Sequence, residues 1–246
     1  TSTNSSIGLI YALKKILYKE YIDMNNFIIC RHCKSSMEGA DHERKLDDDG
    51  ISQSNSLSKK ISQKIDSSTI IYASPFVRAM DSLEPLTVSD PSIKIYPDKA
   101  LKEINIGKSE DLTKHEIIKK MWENKSFKVE NGESQEECYS KLKPFLEKVF
   151  LEFKNENKNI ILVTHGNLIG IILKYFFNLE FNFDSWKQIS MPDMYILDFD
   201  INKNDYSLKK INTKFDNIEI TSPLIEIKHK KNSFFINGQI LNDNRK

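Results

Sequence analysis

The sequence predicts a three-layer α/β/α domain with a mostly parallel central sheet. Three observations predict it. Short apolar runs without polar alternation recur along the chain, as in strands buried on both faces. Segments with helical spacing separate these runs. Charged and reactive residues directly follow several of them, where an open α/β sheet gathers its ligand. At 246 residues the chain is long enough for one good-sized core with extensions.

The elements follow in order. Ile7 to Tyr21 carries Ile10, Leu13, Ile16 and Leu17 at amphipathic spacing, so residues 1–25 are expected to form an extension with a helix docked on the domain. The main domain is expected over 26–215. Phe27–Cys30 is its first strand, and Gly50 to Ile65 reads as a helix through Ile51, Leu57 and Ile61. Thr69–Ala73 is a second strand, with a helix from Pro75, and Ile93–Tyr96 is a short third. A long helix covers Gln135 to Lys154, and Asn159–Thr164 is the most apolar strand. A helix from near Asn167 to about Phe177 and a strand over Met194–Phe199 complete the alternation. Residues 216–246 add apolar segments, Ile218 to Ile227 and Phe234 to Ile236, expected as strands packed on the same domain.

Composition narrows the partners. A net charge of +1 gives no global field for nucleic acid or an anionic membrane, and clusters such as Lys228 to Lys231 read as solvated surface. Three cysteines (Cys30, Cys33, Cys138) fit a cytoplasmic or other reducing compartment better than a disulfide scaffold. No stretch approaches the roughly 20 apolar residues of a spanning helix, so no integral membrane segment is expected in this chain. A chain opening on Thr1 is expected to be processed or trimmed.

Arginine is scarce. Among 36 basic residues the arginines are Arg31, Arg44, Arg78 and Arg245 alone. Lysine offers a solvated point charge, whereas arginine offers a planar fork that fits phosphate or carboxylate at two points. Two of the four stand at strand ends beside reactive residues. The first strand ends in Arg31-His32, the second runs into Ser74-Pro75-Phe76-Val77-Arg78, and the most apolar one ends in Thr164-His165-Gly166. Two imidazoles and two guanidiniums at one sheet edge suit a phosphoryl group. The arginines neutralise its oxygens, one neutral imidazole attacks phosphorus, and the other stabilises developing charge.

These segments resemble the histidine phosphatase superfamily, of phosphoglycerate mutase-like fold. The family pattern Arg-His-Gly-x-Ser/Thr meets Arg31-His32-Cys33-Lys34-Ser35, and Leu-x-x-x-Gly-x-x-Gln meets Leu46 to Gln53. Ser-Pro-x-x-Arg-Ala meets Ser74 to Ala79, and Leu-x-Glu-x-x-x-Gly meets Leu101 to Gly107. Gly132-Glu133-Ser134 and Thr164-His165-Gly166 complete six motifs in the family's order, matching from about residue 27 to 212. The resemblance implies a phosphomonoester hydrolase in which His32 becomes phosphohistidine. Arg31, Arg78, His165 and Ser35 would line the phosphate pocket, and Glu103 would protonate the leaving oxygen and then activate water. Asp41-His42-Glu43-Arg44-Lys45-Leu46 is similar to the small phosphohistidine protein phosphatases, a resemblance by which Arg44 would be a third phosphate arginine. The implied partner is a phosphorylated small molecule or phosphoprotein, with no metal and no cofactor.

Two positions depart from the pattern. Cys33 replaces the glycine after the catalytic histidine, and Glu38 stands where asparagine is common. Two other activities share the resemblance: a cofactor-dependent phosphoglycerate mutase, and a catalytically weak phospho-ligand-binding protein. The 62 positions from Glu103 to His165 favour the phosphatase, since the mutases carry a longer insertion there. Cys30-x-x-Cys33 also has metal or redox spacing, but there is no second pair to complete it, and Cys30 fits as a small buried strand residue. Substrate choice is expected to lie in the cover of Gly107 to Asn131 and in the terminal additions. Lys119, Lys120, Trp122 and Lys125 are candidate contacts for a polyanionic or phosphoprotein substrate, although such residues are more often plain helix surface.

Overall fold

A computed structural model describes residues 26–156, 158–200, 205–211, 235–236 and 239–240. The helix expected within residues 1–25 and most of the C-terminal extension lie outside the described residues.

Six strands form one sheet in the order β3-β2-β4-β1-β5-β6. They are β1 (Phe27–Arg31), β2 (Ile70–Ala73), β3 (Ile95–Pro97), β4 (Ile160–Thr164), β5 (Asp193–Asp200) and β6 (Asp205–Ile211). The pairs β1–β4, β4–β2 and β2–β3 are parallel, while β5 and β6 add an antiparallel edge. The strand β6 has no counterpart in the sequence reading. Phe235–Ile236 and Gln239–Ile240 pair separately as a two-stranded antiparallel ribbon.

The central strands show why their sequences lack alternation. All five residues of β4 and the first four of β1 are buried. Phe27, Ile29, Ile160 and Leu162 face one core, and Ile28, Cys30, Ile161 and Val163 face the other. Each strand is therefore covered on both sides, and every position before its last residue is apolar.

The helices complete the outer layers. Helix α1 (Asp48–Ser62) starts at Asp47, whose carboxylate accepts from the Gly50 amide, and it sets Leu57 and Ile61 on the second core. Short helices α2 (Val77–Asp81) and α3 (Glu84–Ser89) follow β2. Helix α4 (Lys114–Glu123) begins with a capping box between Thr113 and Glu116. Helix α5 (Gln135–Glu156) runs along the first core, and α6 (Gly166–Ile171) continues into a π-helical turn over Ile172–Phe176 before the short α7 (Phe183–Lys187). Helix α4 divides the residues of the covering segment between core and surface. Trp122 is 6% exposed, packed on Phe181, with Ile117, Ile118 and Met121 buried beside it. Lys119 pairs with Glu123, Lys125 pairs with Glu136, and Lys120 lies over Phe127. The amphipathic helix takes Trp122 into the core and leaves the three lysines exposed.

Phe27 ties the sheet to this layer, meeting Phe150, Phe153 and Phe177 edge-on at centroid distances of 5.9, 5.6 and 5.6 Å. Phe27→Ala removes a fully buried ring and is expected to cost about 3–5 kcal/mol. Ile51→Ala, at a side chain 55% exposed, is expected to stay within about 0.5 kcal/mol. Urea denaturation midpoints of the two variants check the contrast.

Candidate active site

Strand register assembles the site. Arg31 of β1 stands opposite Thr164 of β4, and the His32 amide extends that ladder to the Thr164 carbonyl at 3.0 Å. On the other side of β4, Ala73 is opposite Val163, and the Ser74 amide donates to the Val163 carbonyl at 2.8 Å. The first residues past three parallel strands, His32, Ser74 and His165, are therefore neighbours. The two imidazoles meet edge to face with centroids 4.9 Å apart.

Each ring has a defined setting. The Cys33 carbonyl lies 2.6 Å from His32 Nδ1 and can only accept, so Nδ1 carries the proton. The bare Nε2 then accepts from Arg78 Nε at 3.2 Å. Burial holds the His32 pKa well below the ordinary histidine value. The hydrogen bond to Cys33 opposes this, while Arg78, Arg31 and Arg44 reinforce it. His165 is fully buried, with Nε2 2.7 Å from Ser74 Oγ and Nδ1 without a partner. Burial, then His32 and the same arginines, hold its pKa well below the ordinary value too. Both rings are neutral near neutral pH.

The arginines come from three directions. Arg31 Nη1 donates to the Ile189 and Ser190 carbonyls at 2.8 and 3.2 Å, and its guanidinium lies against Gly166. A β-carbon at 166 would sit 3.1 Å from Arg31 Cζ, so the glycine of the Thr-His-Gly motif makes room for the guanidinium. Arg78 comes from α2, is 1% exposed, and has its Cζ 4.8 Å from the Phe76 ring centroid. Arg44 lies on the loop after β1, its side chain 11% exposed, with Nε buried and unpartnered. That loop is held by Ser36–Lys45 and Val77–His42 backbone hydrogen bonds. Gly50 belongs to the same brace: a β-carbon there would fall 1.9 Å from the Lys34 carbonyl oxygen.

Glu103 sits at the rim, partly exposed. One carboxylate oxygen accepts from the Ile104 amide at 3.1 Å, and the other accepts from the Asn167 amide and side chain at 3.3 Å. Burial raises its pKa above the ordinary carboxyl value, against the Asn167 amide and then Arg31. The structure thus brings together Arg31, His32, Arg44, Arg78, Glu103 and His165. Ser35 is half-buried on the same loop, bridged to Leu46 through its backbone, and no hydrogen bond joins it to the cluster.

The two departures from the motif are accommodated away from the pocket. Among the described residues those with left-handed backbone are Gly39, Gly107, Asn131 and Asn178, and Cys33 is not one of them. Its amide donates to Ser82 Oγ at 2.8 Å, and its thiol packs in the second core with Cys30 and Leu57. Glu38 is exposed. Among the described residues no group of three or more His, Cys, Asp or Glu is arranged to hold a metal ion, and no helix is long and apolar enough to cross a membrane.

The profile of the histidine phosphatase superfamily (branch 1) matches residues 27–214. The chain belongs to this superfamily. No curated protein matches it closely in sequence. Among solved structures it is similar to a mycobacterial glucosyl-3-phosphoglycerate phosphatase in complex with inorganic phosphate. That likeness has 17% identity and a TM-score of 0.58, and covers 75% of this chain and 95% of the other. It is also similar to an Entamoeba histolytica phosphoserine phosphatase in complex with phosphoserine, at 23% identity and a TM-score of 0.59, covering 78% and 98%. Both place the chain on the superfamily's fold.

Sequence reasoning missed partners that act through the superfamily residues. Ser74 bonds His165, Asn167 holds Glu103, and Asp41 holds two arginines. Ser74 was visible as the first residue past β2; the other two carry no local signal beyond a polar residue in a loop or helix start. Cys33 yields a direct check. Burial pushes its thiol up to about 12, and burial raises the Cys30 and Cys138 thiols as well. The folded protein is expected to resist iodoacetamide at pH 8, with all three thiols labelled only after denaturation. Mass spectrometry of the alkylated protein reads the result.

Proposed function

We propose that this chain is a phosphomonoester hydrolase that works through a phosphohistidine on His32. The observation that carries the reading is the setting of one ring: Nδ1–H is committed to the Cys33 carbonyl, and Nε2 keeps its lone pair beside Arg78. A neutral, oriented imidazole among three guanidiniums is a nucleophile for phosphorus.

In the first step His32 Nε2 attacks phosphorus and the P–O bond to the leaving group breaks. The Glu103 carboxyl, whose pKa burial raises, gives its proton to the leaving oxygen. Arg31, Arg78 and Arg44 hold the phosphoryl oxygens in line, and the unpartnered His165 Nδ1 is available to a further oxygen. In the second step the Glu103 carboxylate takes a proton from water. That water attacks phosphorus, the P–N bond breaks, and His32 returns to its neutral form as inorganic phosphate leaves.

The packing favours this over the other readings. The segment between Glu103 and His165 is spent on α4 and α5, whose apolar faces are in the core. The features that suggested a quiet binder also lose force, since the Cys33 thiol lies in the core and Glu38 is exposed. The two solved relatives bear the names of phosphatases for small phosphorylated metabolites, which supports a small phosphomonoester as substrate.

With an aryl phosphate, His32→Ala is expected to lower kcat/KM by on the order of 10⁴-fold or more. An alkaline quench of wild-type protein with substrate should trap a phosphoenzyme by intact mass, absent in His32→Ala. Absence of turnover on any small or protein phosphate would remove the hydrolase reading.

The pH profile follows from two displaced groups. His32 must be neutral, and its lowered pKa carries the acidic limb of kcat/KM below the ordinary histidine value. Glu103 must be protonated, and its raised pKa carries the alkaline limb above the ordinary carboxyl value. Glu103→Gln is expected to lower kcat roughly 10²–10⁴-fold and to abolish the alkaline limb.

A further inference from the structure

Asp41 has no part in these steps, yet its contacts are with the phosphate arginines. Its Oδ1 accepts from Arg44 Nη2 at 2.7 Å, and its Oδ2 accepts from Arg78 Nη2 at 3.3 Å. Its main-chain carbonyl also accepts from Arg78 Nη1. Among the described residues it is the carboxylate ion-paired with either arginine. The side chains of Arg78 and Arg44 are 2% and 11% exposed, whereas that of Asp41 is 58% exposed. One anion half in water therefore bridges two cations that are almost out of it.

We propose that Asp41 is a positioning residue: a built-in counter-anion that draws Arg44 to Arg78 and limits how tightly the pocket holds inorganic phosphate. The inference rests on the phosphoryl-pocket reading above. Two guanidiniums with little water around them repel each other, and a shared carboxylate offsets that repulsion. Burial pulls the Arg78 pKa down, Asp41 is the foremost charge holding it up, and Arg44 acts against it. Without Asp41, Arg44 has no charged partner to keep it inward. A bound phosphate brings a second negative group to the same donors, so the carboxylate also opposes it. Exposure damps this repulsion, which makes Asp41 a brake on retention of product rather than a block on substrate.

Replacing the charge separates the two effects. Asp41→Asn keeps the Oδ1 acceptor for Arg44 and the backbone carbonyl for Arg78 but removes the negative charge. Calorimetric titration of the full chain with inorganic phosphate at fixed ionic strength is expected to show about tenfold tighter binding in this variant. The inhibition constant of phosphate against an aryl phosphate should fall in parallel. Glu38→Gln, an exposed carboxylate on the same loop, is expected to leave phosphate affinity unchanged. Asp41→Ala, which also removes the acceptor, should bind phosphate less tightly than Asp41→Asn. A purely structural role would lower stability without tightening phosphate. An affinity in Asp41→Asn equal to or weaker than wild type overturns the inference, and Asp41→Ser carries the same comparison if Asp41→Asn does not fold. Wild-type protein that binds no phosphate removes the pocket reading and this inference together. Wild-type protein that binds and turns over phosphates, with Asp41→Asn unchanged, removes this inference alone.

Discussion

Arg31 of β1 stands opposite Thr164 of β4, and a slip of one residue in that pairing would dismantle the site. Side chains alternate along a strand, so such a slip would turn Arg31 and His32 to the wrong sides and carry Phe27 and Ile29 out of their core. The apolar layers on both faces prevent it. Phe27 is fixed by three rings on one side, and Ile28 and Cys30 are packed on the other. Position is thus set by hydrophobic packing well away from the chemistry, and the polar residues past the strand ends inherit it. Parallel pairing matters equally, because it brings the carboxyl ends of β1, β2 and β4 to one edge.

Crowding three guanidiniums and two imidazoles at that edge is costly, and the structure divides the cost among several devices. The imidazoles give up their charge, since burial drives both pKa values down. The guanidiniums cannot, so Arg31 takes two main-chain carbonyls and Arg78 and Arg44 share a carboxylate. Glu103 shows the opposite effect. It lies within electrostatic reach of Arg31 and Arg78, which favour its anion, yet burial still raises its pKa. Desolvation wins there, and the carboxyl holds its proton more readily than one in water.

Much of this was legible in the sequence for identifiable reasons. The five principal strands and the long helices were readable because burial on both faces leaves an unbroken apolar run and amphipathic helices a clear period. The six clustered residues were readable because each follows a strand or falls in a recognised motif. What escaped is long-range or weakly patterned. Edge strand β6 has a mixed sequence, Asp205 to Ile211, with no run to mark it. Helix α4 was hidden in a lysine-rich segment whose charges lie outside while Trp122 turns inward. The π turn after α6 depends on a bond from the Phe177 amide to the Ile172 carbonyl, which no local propensity encodes. Asp41 reaches Arg78, and Asn167 reaches Glu103, across long stretches of chain, so spacing could not find those contacts.

Cysteine at position 33 shows how much of a motif is geometry and how much is habit. A glycine is indispensable where another atom occupies the place of its β-carbon, as at Gly50 against the Lys34 carbonyl. At position 33 the backbone stays outside the left-handed region, and the side chain has somewhere to go: a core built from Cys30, Leu57 and their neighbours. The functional contribution of residue 33 comes from its main chain, whose carbonyl takes the His32 Nδ1 proton and whose amide is anchored on Ser82. Any residue that keeps that carbonyl in place satisfies the chemistry. Cysteine does so while filling apolar space, and burial raises its thiol pKa, so no thiolate stands beside His32 at neutral pH. The substitution therefore preserves the contact that fixes the proton on His32 Nδ1 and leaves Nε2 an acceptor.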